Sequence, residues 1–453
     1  MGSTLLRERI AARSVAARYG LFLGLGGVLA LAGLVIFIQT LRGEQADRAW
    51  HLFHVNWVYF TGLTGGTFAF VAVQKVSGAK WSGVIIRFAE AAAFLSWPMS
   101  ALGFLVIFTV GYEHIFPEMH GLGHGKELWL SHGFMFGRLA VGLGLLYWLG
   151  FQLVKADLVP DMHEVKGLVP AGRRKLYERW TRQFDVSPEG RARHEARISR
   201  LAPAYVVTYA IVFTMVAFDT IMALQPHWFS NLFGGWYFMG SFLGGHTLLA
   251  LLMLYGRHEV GIPDLVSPKQ RHDLGKLCFG FSVFWTYLMW SQFLVIWYGN
   301  LPEETGFVFA RLWGEWRPIG RLVFLGMFVI PFIGLLGVLP KKLPLTLGLF
   351  CGISLVSLWL ERYLLVMPSV TREVGPIFGL PEAGPTALFL GLFLVAYAVF
   401  ARTFPMISPR LAEVTLDRER GHESAEVSGE FEHEETGRDY VPPEAMERRH
   451  KPR

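Results

Sequence analysis

Leu21–Leu41 reads LFLGLGGVLALAGLVIFIQTL, 21 residues without a single charge. A helix rises about 1.5 Å per residue, so roughly 20 apolar residues cross the ~30 Å hydrocarbon layer of a bilayer. The run is too long for the core of a signal peptide, and no convincing small-residue cleavage site accompanies it. It is therefore read as a membrane span. Helix is preferred over strand because the apolarity is continuous rather than alternating, and because lipid offers unpaired backbone groups no partner.

Extended back to Tyr19, this run is the first of ten. The others are Phe53–Gln74, Phe88–Val110, His132–Val154, Pro203–Leu224, Trp236–Tyr255, Asp273–Tyr298, Arg321–Leu339, Leu343–Met367 and Pro385–Phe404. They predict an all-α polytopic membrane protein with ten transmembrane helices. Composition points the same way: of 453 residues 52% are hydrophobic and 17% charged, with 15 Trp and 37 Phe, a profile that excludes a soluble enzyme. The net charge of +6 sits in short loops between apolar runs. There it acts as an orientation signal rather than as an affinity for nucleic acid. Counted on alternate sides, 24 Lys and Arg fall on one side and six on the other, which predicts that both termini are cytoplasmic.

Residues 1–18 form a basic N-terminal segment ahead of a membrane domain over 19–404. Lys155–Arg200 reads as a long cytoplasmic loop with some surface helix, and Pro405–Arg453 as a polar, flexible cytoplasmic tail. No short-period repeat is visible. Cys278 and Cys351 each lie in an apolar run with no second cysteine nearby, so neither a disulfide framework nor a cluster motif is expected. A CxxCH haem attachment signal is also absent, which leaves iron–sulfur and c-type haem chemistry to partners.

An ionisable side chain at membrane depth costs a few kcal/mol and needs a partner, a cavity or a proton path to explain it. Glu90 falls just inside the cytoplasmic end of the third span, His246 near the middle of the sixth, and Asp219 in the outer third of the fifth. The outer half also gathers His54, Asn56, His132, Arg138, Ser291, Gln292, Glu361 and Arg362. Together they predict a polar route for protons, with Asp219, His246, Glu90, Arg138, Glu361 and Arg362 as its stations. Asp219 is expected to be unpaired and functional. The adjacent Glu361 and Arg362 are expected to face different directions and pair with neighbouring spans, and His54 and His132 to be solvated at the interface.

The loop Tyr112–Ser131 carries Glu113, His114, Glu118, His120, His124 and Glu127, but in no tight-binding spacing, so no metal site is expected. Gly244-Gly245 beside His246 hints at the broken helix of a secondary transporter, without a counterpart in the other half. A b-type cytochrome would need paired axial histidines, and only His246 is deep.

Longer motifs carry a resemblance. Phe218–Ser230 (FDTIMALQPHWFS), Phe284–Gln292 (FWTYLMWSQ) and Ile296–Glu304 (IWYGNLPEE), with the shorter Arg87–Glu90 (RFAE) and Leu360–Tyr363 (LERY), resemble the NrfD-like membrane subunits of alternative complex III. That complex is a bacterial quinol:cytochrome c oxidoreductase. The similarity runs from about Phe53 to Phe404, and within the family the chain looks like the shorter of two related ten-span subunits.

The resemblance implies two four-helix bundles, spans two to five and six to nine, with peripheral first and tenth helices. It implies a bacterial inner-membrane location and several partners: an iron–sulfur subunit, multihaem and monohaem cytochromes c, and a sister NrfD-like subunit. It implies a proton-path role for Asp219 and, by extension, for Glu90, Arg138, His246 and Glu361. Quinone or quinol is the implied small molecule, with nothing bound covalently. Where the sister subunit has a histidine in a Gly-His-Ala-Gly-Thr stretch, this chain reads Leu63-Thr64-Gly65-Gly66-Thr67. Thr64 cannot accept a quinol proton as imidazole would. Quinol oxidation is therefore expected in a partner, the alternative being a site formed here by His132, Asp219, Arg138 and Thr64.

Overall fold

The computed structural model describes residues 2–116, 124–261, 263–371 and 375–428. Among them there is no strand. In chain order the helices are α1 Gly2–Ser14, α2 Gly20–Leu41, α3 Ala46–Val76, α4 Ile86–Phe94, α5 Trp97–Val106, α6 Tyr112–Ile115 and α7 His124–Leu130. Then follow α8 His132–Val165, α9 Ala171–Thr181, α10 Pro188–Thr220, α11 Phe233–Glu259, α12 Pro268–Gly299 and α13 Pro302–Leu312. The last are α14 Arg317–Phe324, α15 Ile330–Leu336, α16 Val338–Lys342, α17 Pro344–Val370, α18 Leu380–Thr403 and α19 Pro409–Ser428.

Nine helical stretches among the described residues are long and apolar enough to cross a membrane. The chain is a polytopic helical membrane protein. The remaining expected span, Phe53–Gln74, lies within α3, which is 31 residues long but too polar to join those nine. Its surroundings explain this. Almost every residue from Ala49 to Ala72 is buried, because α3 packs against α2, α4, α10, α11, α17 and α18. A helix enclosed by protein does not need the all-round apolarity that lipid demands.

The α3–α11 crossing is the centre of the molecule. A Cβ on Gly66 would overlap the Ser241 carbonyl, and one on Gly245 would lie 2.6 Å from the Gly66 carbonyl carbon. Small residues four apart on both helices, Gly62 with Gly66 and Ser241 with Gly245, let the backbones touch. This corrects the transporter hint: α11 runs unbroken through Gly244-Gly245. Helices α2 and α18 pair in the same manner, with Gly33 against Leu388 and Gly391 against Ala30.

Two π-helical segments interrupt spans, Ile107–Gly111 after α5 and Leu325–Val329 between α14 and α15. Each frees a carbonyl for a neighbouring helix. His132 Nε2 bonds Phe108 O at 2.7 Å, and Ser282 Oγ donates to Met327 O at 2.5 Å.

Three regional expectations change. The expected loop 155–200 is mostly continuation of its two spans, since α8 runs to Val165 and α10 begins at Pro188. Pro160 lacks an N–H, which frees the Ala156 carbonyl four residues earlier, and His194 Nε2 of α10 binds it at 2.7 Å. The start of the tail is also ordered. Helix α19 packs against α1, Thr415 Oγ1 donates to Lys80 O at 2.6 Å, and Ser267 Oγ donates to Glu419 at 2.8 Å. The rest of that expected tail, 429–453, lies outside the described residues. Finally, the two cysteines meet in space, Cys278 on α12 and Cys351 on α17, as buried free thiols with sulfurs 3.8 Å apart.

Candidate functional site

Arg87 opens the first turn of α4, and Glu90 follows one turn later on the same face. Arg87 donates to Glu90, to Asp161 Oδ2 and, at 2.8 Å, to the Asp157 backbone carbonyl, and its Nη1 lies 3.3 Å from Asp157 Oδ2. Lys75 Nζ reaches Asp157 Oδ1 at 2.6 Å, and Arg410 of α19 stands 3.4 Å from the same oxygen. Three cations and three carboxylates thus close on one another. The side chains of Arg87, Glu90 and Asp161 are wholly removed from solvent. Sequence reasoning placed Glu90 but missed Asp157 and Asp161, which it left in a loop. Their i, i+4 spacing, continuing the buried face marked by Leu153 and Val154, was the available signal.

Further along, three hydroxyls converge. Tyr147 Oη of α8 donates to Ser100 Oγ of α5 at 2.5 Å, and Ser100 Oγ lies 2.5 Å from Thr61 Oγ1 of α3. The adjacent Trp57 Nε1 donates to Ser100 O at 2.8 Å. Nothing in the sequence distinguished these hydroxyls, since each is unremarkable until three helices meet.

Toward the other end, Arg138 of α8 grips Asp219 of α10 with two parallel bonds, Nε to Oδ2 at 2.8 Å and Nη2 to Oδ1 at 2.7 Å. The Asp219 side chain is fully buried and that of Arg138 is 12% exposed, lying over the Trp129 ring at 3.9 Å. Asp219 is therefore paired, contrary to the sequence expectation, in the fork geometry that suits guanidinium and carboxylate. His54, expected at a wet interface, is instead fully buried, with Nε2 on Thr220 O at 2.6 Å.

The other expected site residues go elsewhere. His132 is held on Phe108 O and stacks on Tyr112 at 4.0 Å. Thr64 donates to Phe60 O of its own helix at 2.9 Å. Of His132, Asp219, Arg138 and Thr64, Asp219 and Arg138 bond each other, while His132 and Thr64 bond other partners. His246 keeps Nδ1 on Phe242 O at 2.7 Å and is ringed by Phe70, Phe242 and Phe281, apart from the charged groups. In the Tyr112–Ser131 stretch, His114 Nδ1 pairs with Asp47 at 2.6 Å, while Glu118 and His120 lie outside the described residues, as does the His124 side chain. Among the described residues no three His, Cys, Asp or Glu side chains gather as a metal would require.

A second locus lies between α11, α12, α13, α14 and α17. Glu361 and Arg362 pair with each other, Oε2 to Nη1 at 2.8 Å, rather than each with another span. Arg362 also lies over the Tyr237 ring at 4.3 Å, with Nη2 3.3 Å from Tyr237 O. Beside Glu361 opens a cavity of about 310 Å³ whose polar lining includes Trp228, Trp236, Trp285, Gln292 and Arg311. Trp228 stacks on Phe307 of α13 at 3.7 Å, closing one end. Arg311 is held by Phe307 O, Leu365 O and Ser369 Oγ at 2.9, 2.7 and 2.5 Å. Burial pulls its pKa well below the usual guanidinium range. The three long sequence motifs all contribute to this wall, through Trp228, Trp285 and Ile296.

The chain matches no protein-family model, and no curated protein matches it.

Proposed function

We propose that the chain is a proton-conducting membrane subunit of a quinol-oxidising assembly of the alternative complex III type. Electrons stay in partner metal centres, and this chain carries protons through the half built from α3, α4, α5, α8 and α10. In this reading α3 is a tenth span. One bundle comprises α3, α4–α6, α8 and α10, a second comprises α11, α12, α14–α15 and α17, and α2 and α18 lie outside both. The partners are an iron–sulfur subunit, multihaem and monohaem cytochromes c and a sister membrane subunit. The membrane is the bacterial inner membrane, with the end bearing α1 and α19 in the cytoplasm, where the excess of Lys and Arg favours it.

One observation carries the proposal. Arg138, Tyr147 and Asp157 are successive polar stations on the single helix α8, each engaged with a neighbouring helix. At about 1.5 Å per residue they span about 28 Å, close to the thickness of the hydrocarbon layer. Hydroxyls donate and accept at once, so the Thr61, Ser100 and Tyr147 group can relay a proton that a carboxylate delivers. At the far station, protonating Asp219 cancels the charge that holds Arg138. The freed guanidinium, already partly exposed, then turns outward. The intervals of roughly 13–15 Å along α8 are too long for direct transfer, so water must bridge them.

The test is proton translocation by the assembled complex in vesicles. Asp219→Asn and Tyr147→Phe are each expected to lower protons moved per quinol several-fold while the complex still assembles. Unchanged coupling in both variants overturns the proposal.

A further inference from the structure

Where α8 ends and α9 begins, the chain folds a cleft of about 790 Å³ whose walls carry Lys166, Arg174, Lys175, Arg179 and Arg182, with Glu178 as the carboxylate of the lining. All five cations are exposed, and among the described residues none of them forms an ion pair. Lys166 Nζ donates instead to His163 Nε2 at 3.1 Å. Other cations on this side of the molecule do find carboxylates: Arg7 holds Glu164 and Glu413 at 2.7 and 2.8 Å, and Arg193 holds Asp185 at 2.8 Å. Lys175 and Arg179 stand one turn apart on α9, a like-charge spacing that weakens a helix. Setting the orientation of a membrane protein calls for positive charge on one side, but not for five cations facing one space.

The cleft lies at the level where spans end. Tyr177 Oη donates at 3.0 Å to the carbonyl of Thr403, the last residue of α18. The Trp180 ring lies 5.1 Å from Phe404 and 6.3 Å from both Phe94 of α4 and Phe151 of α8, with Lys155 Nζ 5.2 Å above it. Helix α9 thus turns Tyr177 and Trp180 into the bundle and leaves Arg174, Lys175 and Arg179 outside, the pattern of a helix that lies along a bilayer surface. Arg179 and Arg182 stand on either side of that tryptophan in the chain. Two exposed apolar side chains, Leu168 and Val186, adjoin the cleft in sequence, and the bilayer surface is where cations and apolar groups are accommodated together.

The occupant is therefore an anion presented by the bilayer. A phosphodiester suits the wall, since a guanidinium can bind two of its oxygens at once and an ammonium adds a point charge. A zwitterionic headgroup brings an ammonium of its own, which the five cations repel. We propose that this cleft binds the phosphodiester headgroup of an anionic phospholipid, with Arg174, Arg179 and Arg182 donating to its oxygens and Lys166 and Lys175 completing the counter-charge. The site lies beyond Asp157 on α8 and uses none of the groups assigned to proton conduction, so it stands or falls apart from that reading. Each cation at a bilayer surface adds a modest attraction for anionic lipid, and the five together favour it over zwitterionic lipid by about tenfold or more.

The experiment titrates the full chain in mild detergent micelles with short-chain phosphatidylglycerol and, separately, with phosphatidylcholine of the same chains, and native mass spectrometry counts the lipid retained. The expected result is a saturable phosphatidylglycerol site with about tenfold preference over phosphatidylcholine. Arg179→Gln combined with Arg182→Gln should shrink that preference to about twofold or less, and Lys166→Gln combined with Lys175→Gln should act in the same direction. Arg197→Gln combined with Arg200→Gln removes the same charge from α10 outside the cleft and should leave the preference in place. All these side chains are exposed, so the thermal transition should not move in any of the variants. Inorganic phosphate at the lipid's concentration should displace little of it, because it lacks the acyl chains. Equal retention of the two lipids, a preference that survives both cleft variants, an equal loss in the α10 variant, or full displacement by inorganic phosphate each overturns the proposal. So does an acidic polypeptide that co-purifies with the parent chain, is lost from the cleft variants and resists displacement by phosphatidylglycerol.

Discussion

The half built on α3, α4, α8 and α10 and the half built on α11, α12, α13 and α17 solve the problem of buried charge in opposite ways. In the first, Glu90, Asp157, Asp161 and Asp219 each have at least one oxygen in a hydrogen bond to a cation. In the second, Glu361 is held in an ion pair with Arg362 at 2.8 Å, and the Trp228, Trp236 and Trp285 N–H groups that line the same cavity have no hydrogen-bond partner. The first is a network that still leaves Glu90 Oε1, Asp157 Oδ2 and Asp161 Oδ1 without a hydrogen bond, oxygens able to accept a proton, whereas the second is one ion pair beside an open cavity.

The largest test of the contrast is at Arg87. Arg87→Ala leaves three buried carboxylates facing only Lys75 and Arg410, both nearer the surface. Removing one partner from a buried ion network costs about 3–5 kcal/mol, a large share of a protein's net stability. The expected outcome is failure to accumulate in the membrane, or a loss of that size in denaturant-driven unfolding in mixed micelles. Arg87→Lys should recover part of it, since a single ammonium cannot reproduce the fork. A cost below ~1 kcal/mol would mean that the network is not a clamp.

How far this contrast was legible in the sequence follows from what each side chain needs in order to be noticed. Spans announce themselves through length and apolarity, so nine of the ten expected stretches are found as long apolar helices, and the tenth, in α3, is blurred because protein rather than lipid surrounds it. Glu90, Asp219, Arg138, Glu361 and Arg362 stood out because charge is conspicuous in an apolar run. Their pairings did not. Asp219 finding Arg138 is a fact of how α8 meets α10, 81 residues apart in the chain, and no local pattern encodes it. The Tyr147, Ser100 and Thr61 hydroxyls and the unpaired indoles were invisible for the same reason, since an interfacial belt explains a tryptophan equally well until its N–H is seen to lack a partner. Lys155–Arg200, expected as a loop with some surface helix, is more helical than that, because α8 and α10 run on into it and a charged helix has the composition of a loop.

A smaller effect is expected at the seam that joins the halves. Gly66→Ala places a methyl group against the Ser241 carbonyl, where only backbone can yield. Overpacking of this kind typically costs about 1–3 kcal/mol. Because α3 carries Thr61 and α11 carries Trp236, separating the two helices should disturb both sites at once. Unfolding measurements should show the stability loss, and proton coupling should weaken with it. A variant that lost the stability and kept the coupling intact would show that the Thr61, Ser100 and Tyr147 group does not depend on this seam.

The smallest effect is a difference between two variants. Glu361→Gln keeps the shape of the side chain and leaves Arg362 its contacts with the Tyr237 carbonyl and ring, but removes the counter-charge 2.8 Å from Arg362 Nη1. Asp219→Asn likewise removes one member of a buried pair and dismantles two charge-assisted bonds to Arg138. Removing one partner leaves the other charged and desolvated, and that is costly in both variants. Arg138 is 12% exposed and can turn to water, whereas Arg362 is 1% exposed and cannot. The expected costs are about 2–3 kcal/mol for Asp219→Asn and about 1 kcal/mol more for Glu361→Gln. Unfolding of the two variants side by side in the same micelles decides the matter, and a Glu361→Gln loss smaller than that of Asp219→Asn would show that the burial of Arg362 does not set the cost.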